Sequence, residues 1–587
     1  MSMSLHVDLA AVDPILVPRP LRVVRHAGVT SRVPAVEVQR DGTLKKGAYR
    51  LLVKDGSSPT ALIVCADAEG ERNGRATLVQ LCTQYGDQLP VLEVEDEPVF
   101  AVRGVMLDIS RDRVPSMEQM LRTVDLLASL KYNHLELYTE HVFAYKGHEE
   151  VWSGWSPMTA DEIREIDAYC TKLGIELVAN QNCFGHLGKW LKLPKYRDLA
   201  ETHGDWMFDG AWPMSGAFSL CPTDPRSIEL VRDMLTQLMP CFKSPLVNIG
   251  CDETFDIEFG RSKDACKQRG RETVYTDFVR QICEIVTRSG RRPMFWADIA
   301  LSHPECLQTL PTELVSLAWG YEPDAPFEKW CEAGRAGGRE VWVCPGTSTW
   351  RTITGRSTER RENLRAAALG GVAGGAAGIL VTDWGDTGHH QQWPVTAHGL
   401  AQGAEAAWSG CRAGKGDLDV TDATSLHVHS DRTLRAGRWL EELGDADLVL
   451  RETCGQLSRP DRTRLRNQTA LFIDLLKKHA EQTDVGSVED WEATSKRLKE
   501  LAARVPTGMG DLVDAEFAHT IRFAQIAADR GAWRRKQGGL TAQERQNLRE
   551  RLEGVMAEHR RTWLARSRAG GLEASCGHLT GMINDLA

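Results

Sequence analysis

Between residues 102 and 382 the chain alternates eight times between short β-rich apolar runs and longer stretches with helical spacing. The runs fall at 102–109, 134–139, 175–180, 246–249, 293–297, 314–319, 341–344 and 377–382. The helical patterns at 116–130 and 159–173 open with Ser116 followed by Gln119 and Thr159 followed by Glu162, the spacing of a helix-capping box. Eight such units over residues 98–410 match the count and size of a closed (β/α)8 barrel. An open doubly wound sheet is the competing arrangement. Neither a GxGxxG nor a GxxxxGK[ST] loop follows the first run, which weakens a nucleotide-binding version of it.

The flanks read differently. Residues 1–97 carry strand-like runs at 35–38, 47–53 and 61–65, a helical pattern at 73–81 and a closing acidic stretch at 93–98, which predicts a small α+β domain. Residues 411–587 lack strand signals, and 465–480, 490–504, 514–530 and 543–566 read as amphipathic helices. A C-terminal α-helical domain is therefore expected, a candidate surface for homodimerisation. The predicted fold class is α/β: a TIM barrel between an N-terminal α+β domain and a helical bundle.

Composition excludes several partners. The net charge of −10 argues against nucleic acid and acidic membranes, which both favour a basic face. No stretch approaches the ~18 apolar residues of a spanning helix. The N-terminus has no basic segment followed by an apolar one, so no signal peptide is read there. The 15 cysteines are scattered without a CxxC pair, which fits a reducing cytoplasm.

In such a barrel the active site lies at the C-terminal ends of the strands. There Val247-Asn248-Ile249-Gly250 runs straight into Cys251 and then Asp252-Glu253. Adjacent acids in one pocket tend toward divergent pKa values, so one stays ionised while the other carries a proton to a leaving oxygen. That division of labour suits glycoside hydrolysis. A surface Asp-Glu pair is common, and position at a strand end inside an aromatic-rich barrel is what singles this one out. Thirteen of the 17 tryptophans lie in 98–410, and Trp296, Trp319, Trp350 and Trp384 follow runs five to eight. Flat rings of this kind can wall a pyranose, although core packing is the ordinary role of any single one. The connection from 183 to 222 is unusually long and carries Trp190, Trp206 and Trp212, as an ordered wall or lid would. No HExxH, zinc-type Cys/His spacing, EF-hand loop or GxSxG elbow occurs, so neither a metal, a cofactor nor a serine nucleophile is expected.

At these residues the chain resembles glycoside hydrolase family 20, the β-N-acetylhexosaminidases. Arg103-Gly104-Val105-Met106-Leu107-Asp108-Ile109-Ser110-Arg111 is similar to that family's first barrel strand, Phe184-Gly185-His186 to its Pro-Gly-His element, and Gly250-Cys251-Asp252-Glu253 to its Gly-x-Asp-Glu signature. Asp383-Trp384-Gly385-Asp386 stands where the family has a Trp-Gly-Glu-like segment. The likeness covers about 40–410. It implies exo-acting, retaining hydrolysis of terminal β-linked N-acetylglucosamine or N-acetylgalactosamine, in which the substrate's own acetamido oxygen attacks the anomeric carbon to give an oxazolinium. By the resemblance Glu253 is the general acid and base, and Asp252 orients the acetamide N–H. Arg103 binds ring hydroxyls, Trp296, Trp319 and Trp384 wall the pocket, and Asp386 accepts from the 4- or 6-hydroxyl. His186 orients polar groups near the acid, and Glu140 holds the polar position after run two.

Departures from the family pattern point to a divergent subgroup. The stretch Val343-Cys344-Pro345-Gly346-Thr347-Ser348 lacks the tyrosine that normally meets the acetamide oxygen, so either Tyr321 or Trp350 takes that contact or it is absent. Asn182 replaces an aspartate, and Asp386 is one methylene shorter than the usual glutamate. The competing functions are a catalytically silent aminosugar-binding barrel, a narrow β-N-acetylgalactosaminidase, and a metal-dependent barrel hydrolase.

Overall fold

A computed structural model describes residues 7–412, 418–453, 465–477, 485–536 and 539–586. All eight expected runs form strands of one closed parallel barrel. They are β6 (Val102–Asp108), β7 (His134–Thr139), β8 (Glu176–Gln181), β11 (Leu246–Asn248), β12 (Arg292–Trp296), β13 (Val315–Trp319), β14 (Val341–Cys344) and β15 (Gly378–Asp383), which pairs back with β6. Met106, Val178, Met294, Val315, Leu317 and Trp342 fill the interior. A buried acid lies among them: Glu136 accepts from Asn180 Nδ2 at 2.8 Å and Asn248 Nδ2 at 2.9 Å, with His134 Nε2 at 2.9 Å. A buried carboxylate persists only when its oxygens are satisfied in this way.

The capping signals form as predicted. Ser116 accepts from the Gln119 amide at the start of helix Met117–Ser129, and Thr159 with Glu162 closes a full capping box on helix Ala160–Leu173. Each such cap is worth about 1 kcal/mol.

Before the barrel, five strands form one sheet in the order β1-β5-β3-β4-β2, with helix Ala68–Tyr85 packed on it. These are β1 (Arg22–Val29), β2 (Ala35–Arg40), β3 (Tyr49–Lys54), β4 (Thr60–Cys65) and β5 (Pro90–Asp96). The sequence pattern misses β1, an edge strand whose residues are nearly all exposed and so lack apolar alternation.

This module abuts the N-terminal end of the barrel, and there the structure corrects one expectation. Arg103 is the second residue of β6, so it points to the end opposite the barrel mouth. Its guanidinium donates to the carbonyls of Lys131 (3.0 Å) and Phe100 (2.9 Å) and to Glu69 Oε1 (2.6 Å), and it stacks over Trp408. Lys131 and Asp96 pair beside it at 3.0 Å. Arg103 therefore clamps the small sheet to the barrel and does not reach a sugar.

After the barrel the described residues are helical. Helices Ala436–Gly444, Val488–Ala502, Asp511–Arg535, Ala542–Arg566 and Leu572–Asp585 share a core that includes Trp439, Trp491, Phe517 and Leu552. The pattern over 465–480 appears as helix Ala470–Leu476, residues 478–480 lying outside the described set. The bundle is tied to the barrel by Arg566 Nη1 on Gln119 Oε1 (2.7 Å), Arg113 Nε on Ser567 Oγ (3.0 Å) and the buried Arg451–Glu359 pair (2.8 Å). Between the two lies a cluster of buried histidines. His390 sits 5.4 Å from His559 and 5.6 Å from His578, ring centre to ring centre, and His559 stacks on His519 at 5.8 Å. Among the described residues no helix is long and apolar enough to cross a membrane.

Candidate active site

The acidic strand end is shaped by an unusual backbone. After β11, Gly250, Cys251 and Glu253 all take positive φ (69°, 73° and 55°), and two of these are not glycine. Such left-handed conformations cost free energy and persist where surrounding structure enforces them. Gly250 is needed because a Cβ there would lie 2.6 Å from Asn182 Cγ. Gly185 is needed because its Cβ would lie 2.7 Å from the Asp252 carbonyl. The result is that Asp252 and Glu253 both face one cavity of about 870 Å³ at the C-terminal end of the barrel.

Asp252 is held from two sides. Its Oδ1 accepts from Asn182 Nδ2 at 2.8 Å, and its Oδ2 faces His186 Nε2 at 3.4 Å. Asn182 Oδ1 in turn accepts from the Cys251 amide at 3.2 Å. Burial opposes ionisation of Asp252, but the His186 charge and the hydrogen bonds from His186 and Asn182 bring it below the usual carboxylate value. His186 Nε2 also lies 3.4 Å from Glu253 Oε2. Burial alone would strip the His186 proton, yet the Asp252 charge and the bonds to both carboxylates push its pKa up to about 10. Its other nitrogen, Nδ1, lies 3.2 Å from Arg111 Nη2.

Arg111 is the arginine that sequence reasoning passed over. It ends the same nine-residue motif that Arg103 begins. It pairs with Asp108 (3.1 Å) and Glu140 (3.4 Å), stacks over Tyr138 and Trp384 (4.8 Å each), and lines the cavity. Glu140 lies behind it rather than in the cavity wall. It accepts from Tyr138 Oη at 2.9 Å, and burial raises its pKa against the pull of Arg111.

Aromatic rings form the remaining floor. Trp296, Trp319, Tyr321, Trp350 and Trp384 all line the cavity. Trp384 Nε1 donates to Tyr321 Oη at 2.8 Å, Trp319 stacks on Tyr321 at 5.2 Å, and Trp350 meets Tyr321 edge-on at 4.9 Å. Tyr321 thus stands at the centre of the aromatic wall. Asp386 faces the same space, its pKa raised by burial although Arg111 and Arg351 oppose the rise.

A third acid adjoins the pair. Asp298 Oδ2 accepts from the Glu253 amide at 3.1 Å. Burial and then the charges of Asp252 and Glu253 lift its pKa well above the usual carboxylate value. The ligand atoms of His186, Asp252 and Glu253 lie within 4.8 Å of one another, the one metal-compatible group of three found among the described residues.

The long connection after β8 resolves into buried packing and a hairpin. Trp190 and Trp206 are buried. Strands β9 (Asp205–Phe208) and β10 (Trp212–Ser215) carry Phe208, Trp212, Pro213 and Met214 to the cavity. Residues Leu465, Arg466, Asn467 and Gln468, which precede helix Ala470–Leu476, reach the same cavity from the C-terminal region. Nothing local in the sequence marks them as site residues.

Residues 100–345 match the family model for the glycosyl hydrolase family 20 catalytic domain. Over those residues the barrel is similar to glycoside hydrolase family 20. A β-hexosaminidase of Akkermansia muciniphila is 23% identical over 327 residues, 49% of this chain and 63% of that protein. One of Emericella nidulans is 24% identical over 326 residues, 50% of this chain and 53% of that protein. The chain thus spans little more than half the length of these curated relatives. Among solved structures, the family 20 exo-β-N-acetylglucosaminidase of Vibrio harveyi in complex with N-acetylglucosamine superposes with TM-score 0.56 at 18% identity, over 76% of this chain and 78% of that one. The chitobiase of Flavobacterium johnsoniae gives 0.55 at 18% identity over 92% and 96%. These structural likenesses speak for the fold.

Proposed function

We propose that this protein is a family 20 enzyme, an exo-acting, retaining β-N-acetylhexosaminidase that uses its substrate's acetamido group as the nucleophile. The observation that carries the reading is Asp252, held ionised between Asn182 and His186 and placed next to Glu253 on one cavity. Glu253 donates its proton to the glycosidic oxygen as the bond from C1 to that oxygen breaks. The acetamido carbonyl oxygen closes on C1 and forms an oxazolinium. Asp252 accepts from the acetamide N–H and stabilises the positive charge that develops there. Glu253, now a carboxylate, takes a proton from an entering water, which opens the ring at C1 with net retention. Arg111, in place of Arg103, donates to ring hydroxyls as a charged fork, and Asp386 accepts from a hydroxyl at position 4 or 6. Trp296, Trp319, Trp350 and Trp384 pack on the sugar's C–H faces, and Tyr321 supplies a phenol where the family's tyrosine is missing. The 14 described cysteines are all free, which favours a reducing, cytoplasmic setting.

Hydrolysis of p-nitrophenyl β-N-acetylglucosaminide and β-N-acetylgalactosaminide tests the reading. The protein should release nitrophenol from at least one of them and be inhibited by a thiazoline analogue of the oxazolinium, and Glu253→Gln should lower kcat/KM by about 10²-fold or more. Saturable binding of the aminosugar without turnover would instead make this a silent sugar-binding barrel.

A further inference from the structure

The floor of the cavity is built from strand ends and is buried, whereas its rim comes from two segments outside the strand-end pattern. On one side the β9–β10 hairpin presents Trp212, Pro213 and the half-exposed Met214. On the other, residues 465–468 are fastened to the barrel. Arg466 makes a two-pronged pair with Asp324 (2.7 and 2.6 Å), the Asn467 amide donates to Glu322 Oε1 (2.5 Å), and Gln468 Oε1 accepts from Arg351. Asn467 and Arg351, both at positive φ (57° and 50°), line the cavity. Two of their polar atoms, Arg351 Nε and Asn467 Oδ1, are shielded from solvent and have no hydrogen-bond partner. Sheltered groups of this kind normally find partners.

We infer that this rim is a second pyranose subsite, which holds the sugar on the leaving side of the scissile bond. The inference rests on the hydrolase reading above for its assignment to the leaving side. A cavity of about 870 Å³ holds more than one aminosugar ring, and the cleaved terminal ring belongs on the buried floor with Asp252 and Trp384. The next ring then lies between the hairpin and residues 465–468, its C–H face on Trp212 and its hydroxyls toward Asn467, Gln468 and Arg351. The occupant is a neutral hexose, not an anionic one. Arg466 is paired with Asp324, and Arg351 sits in the field of Asp386, so among the described residues the rim offers no uncompensated positive charge.

Three substrates separate the possibilities: a β-N-acetylhexosaminyl fluoride, a β-linked N-acetylhexosaminyl-hexose disaccharide, and that disaccharide sulfated on its reducing hexose. In Trp212→Ala and in Asn467→Ala the ratio of kcat/KM for the neutral disaccharide to that for the fluoride should fall at least threefold, and Trp212→Phe should restore most of it. A smaller fall in both variants overturns the subsite. Preference of the wild type for the sulfated disaccharide overturns its neutral character. Binding is read separately in Glu253→Gln, where the neutral disaccharide should bind at least threefold tighter than free N-acetylhexosamine, an advantage that adding Trp212→Ala removes. Absence of turnover on all three substrates would strike the hydrolase reading, while that binding difference would still decide the subsite.

Discussion

Asn182 Nδ2 donates to Asp252 Oδ1 across 2.8 Å, inside a shell where His186 Nε2 approaches the other oxygen at 3.4 Å. The amide satisfies one carboxylate oxygen without adding charge, which leaves His186 as the group that sets the ionisation of Asp252. Asn182→Asp would place a second carboxylate at this contact. Two acids so close hold one proton between them, so the acidic limb of the kcat/KM profile should move up by about one pH unit or more, with activity lost on the acid side. A profile that stays in place would show that Asp252 need not be ionised.

Arg111 and Arg103 stand at opposite ends of one strand motif and should fail differently. Arg111→Met removes a donor at the cavity and should lower kcat/KM by about 10²-fold while the melting temperature changes little. Arg103→Met leaves Glu69 beside an apolar side chain. Breaking a buried pair from one side costs about 3–5 kcal/mol, so the variant should melt earlier yet keep its KM. Thermal scans beside initial rates decide the matter; the reverse pattern would return Arg103 to the sugar.

Burial, and then the charge of Asp252, favours the neutral form of Asp298. Asp298→Asn preserves both the neutrality and the oxygen that accepts from the Glu253 amide, so its kcat should stay within about threefold of wild type. Asp298→Ala loses that acceptor and should lower kcat by about tenfold or more as Glu253 drifts from its place. Equal losses in both variants would mean that Asp298 acts as an ionised group.

The histidines between barrel and bundle predict acid sensitivity. Burial lowers the pKa of His389 to about 3, His390 to about 4, His519 to about 3, and that of His559 well below the ordinary 6.5. Each takes up a proton near pH 6.5 when unfolded but stays neutral in the fold. Stability is therefore complete above about pH 6.5 and falls as pH drops toward 4, by up to about 1.4 kcal/mol per pH unit for each histidine. Arg113 close by resists their protonation further. Denaturation midpoints measured from pH 7.5 to 4.5 should decline, and His519→Phe should flatten the decline. An unchanged slope would place the titration elsewhere.

The order of the barrel strands, the caps on helices Met117–Ser129 and Ala160–Leu173, and the placement of Asp252 and Glu253 after β11 were all legible in sequence. Each is written in a local period, a capping pair or a strand end, and local signals survive without knowledge of neighbours. The tryptophan excess was legible only as a surplus. It took the fold to divide Trp296, Trp319, Trp350, Trp384 and Trp212, which face the cavity, from Trp190 and Trp206, which are packing. Arg103 was misplaced because a motif does not state which end of its strand faces the mouth; one residue begins β6 and the other lies beyond its end, and the parallel barrel sends them to opposite faces. The contribution of residues 465–468 was beyond any local reading. That segment meets Arg351 and Glu322 across more than a hundred residues of chain, and only the docking of the helical region against the barrel brings it to the cavity.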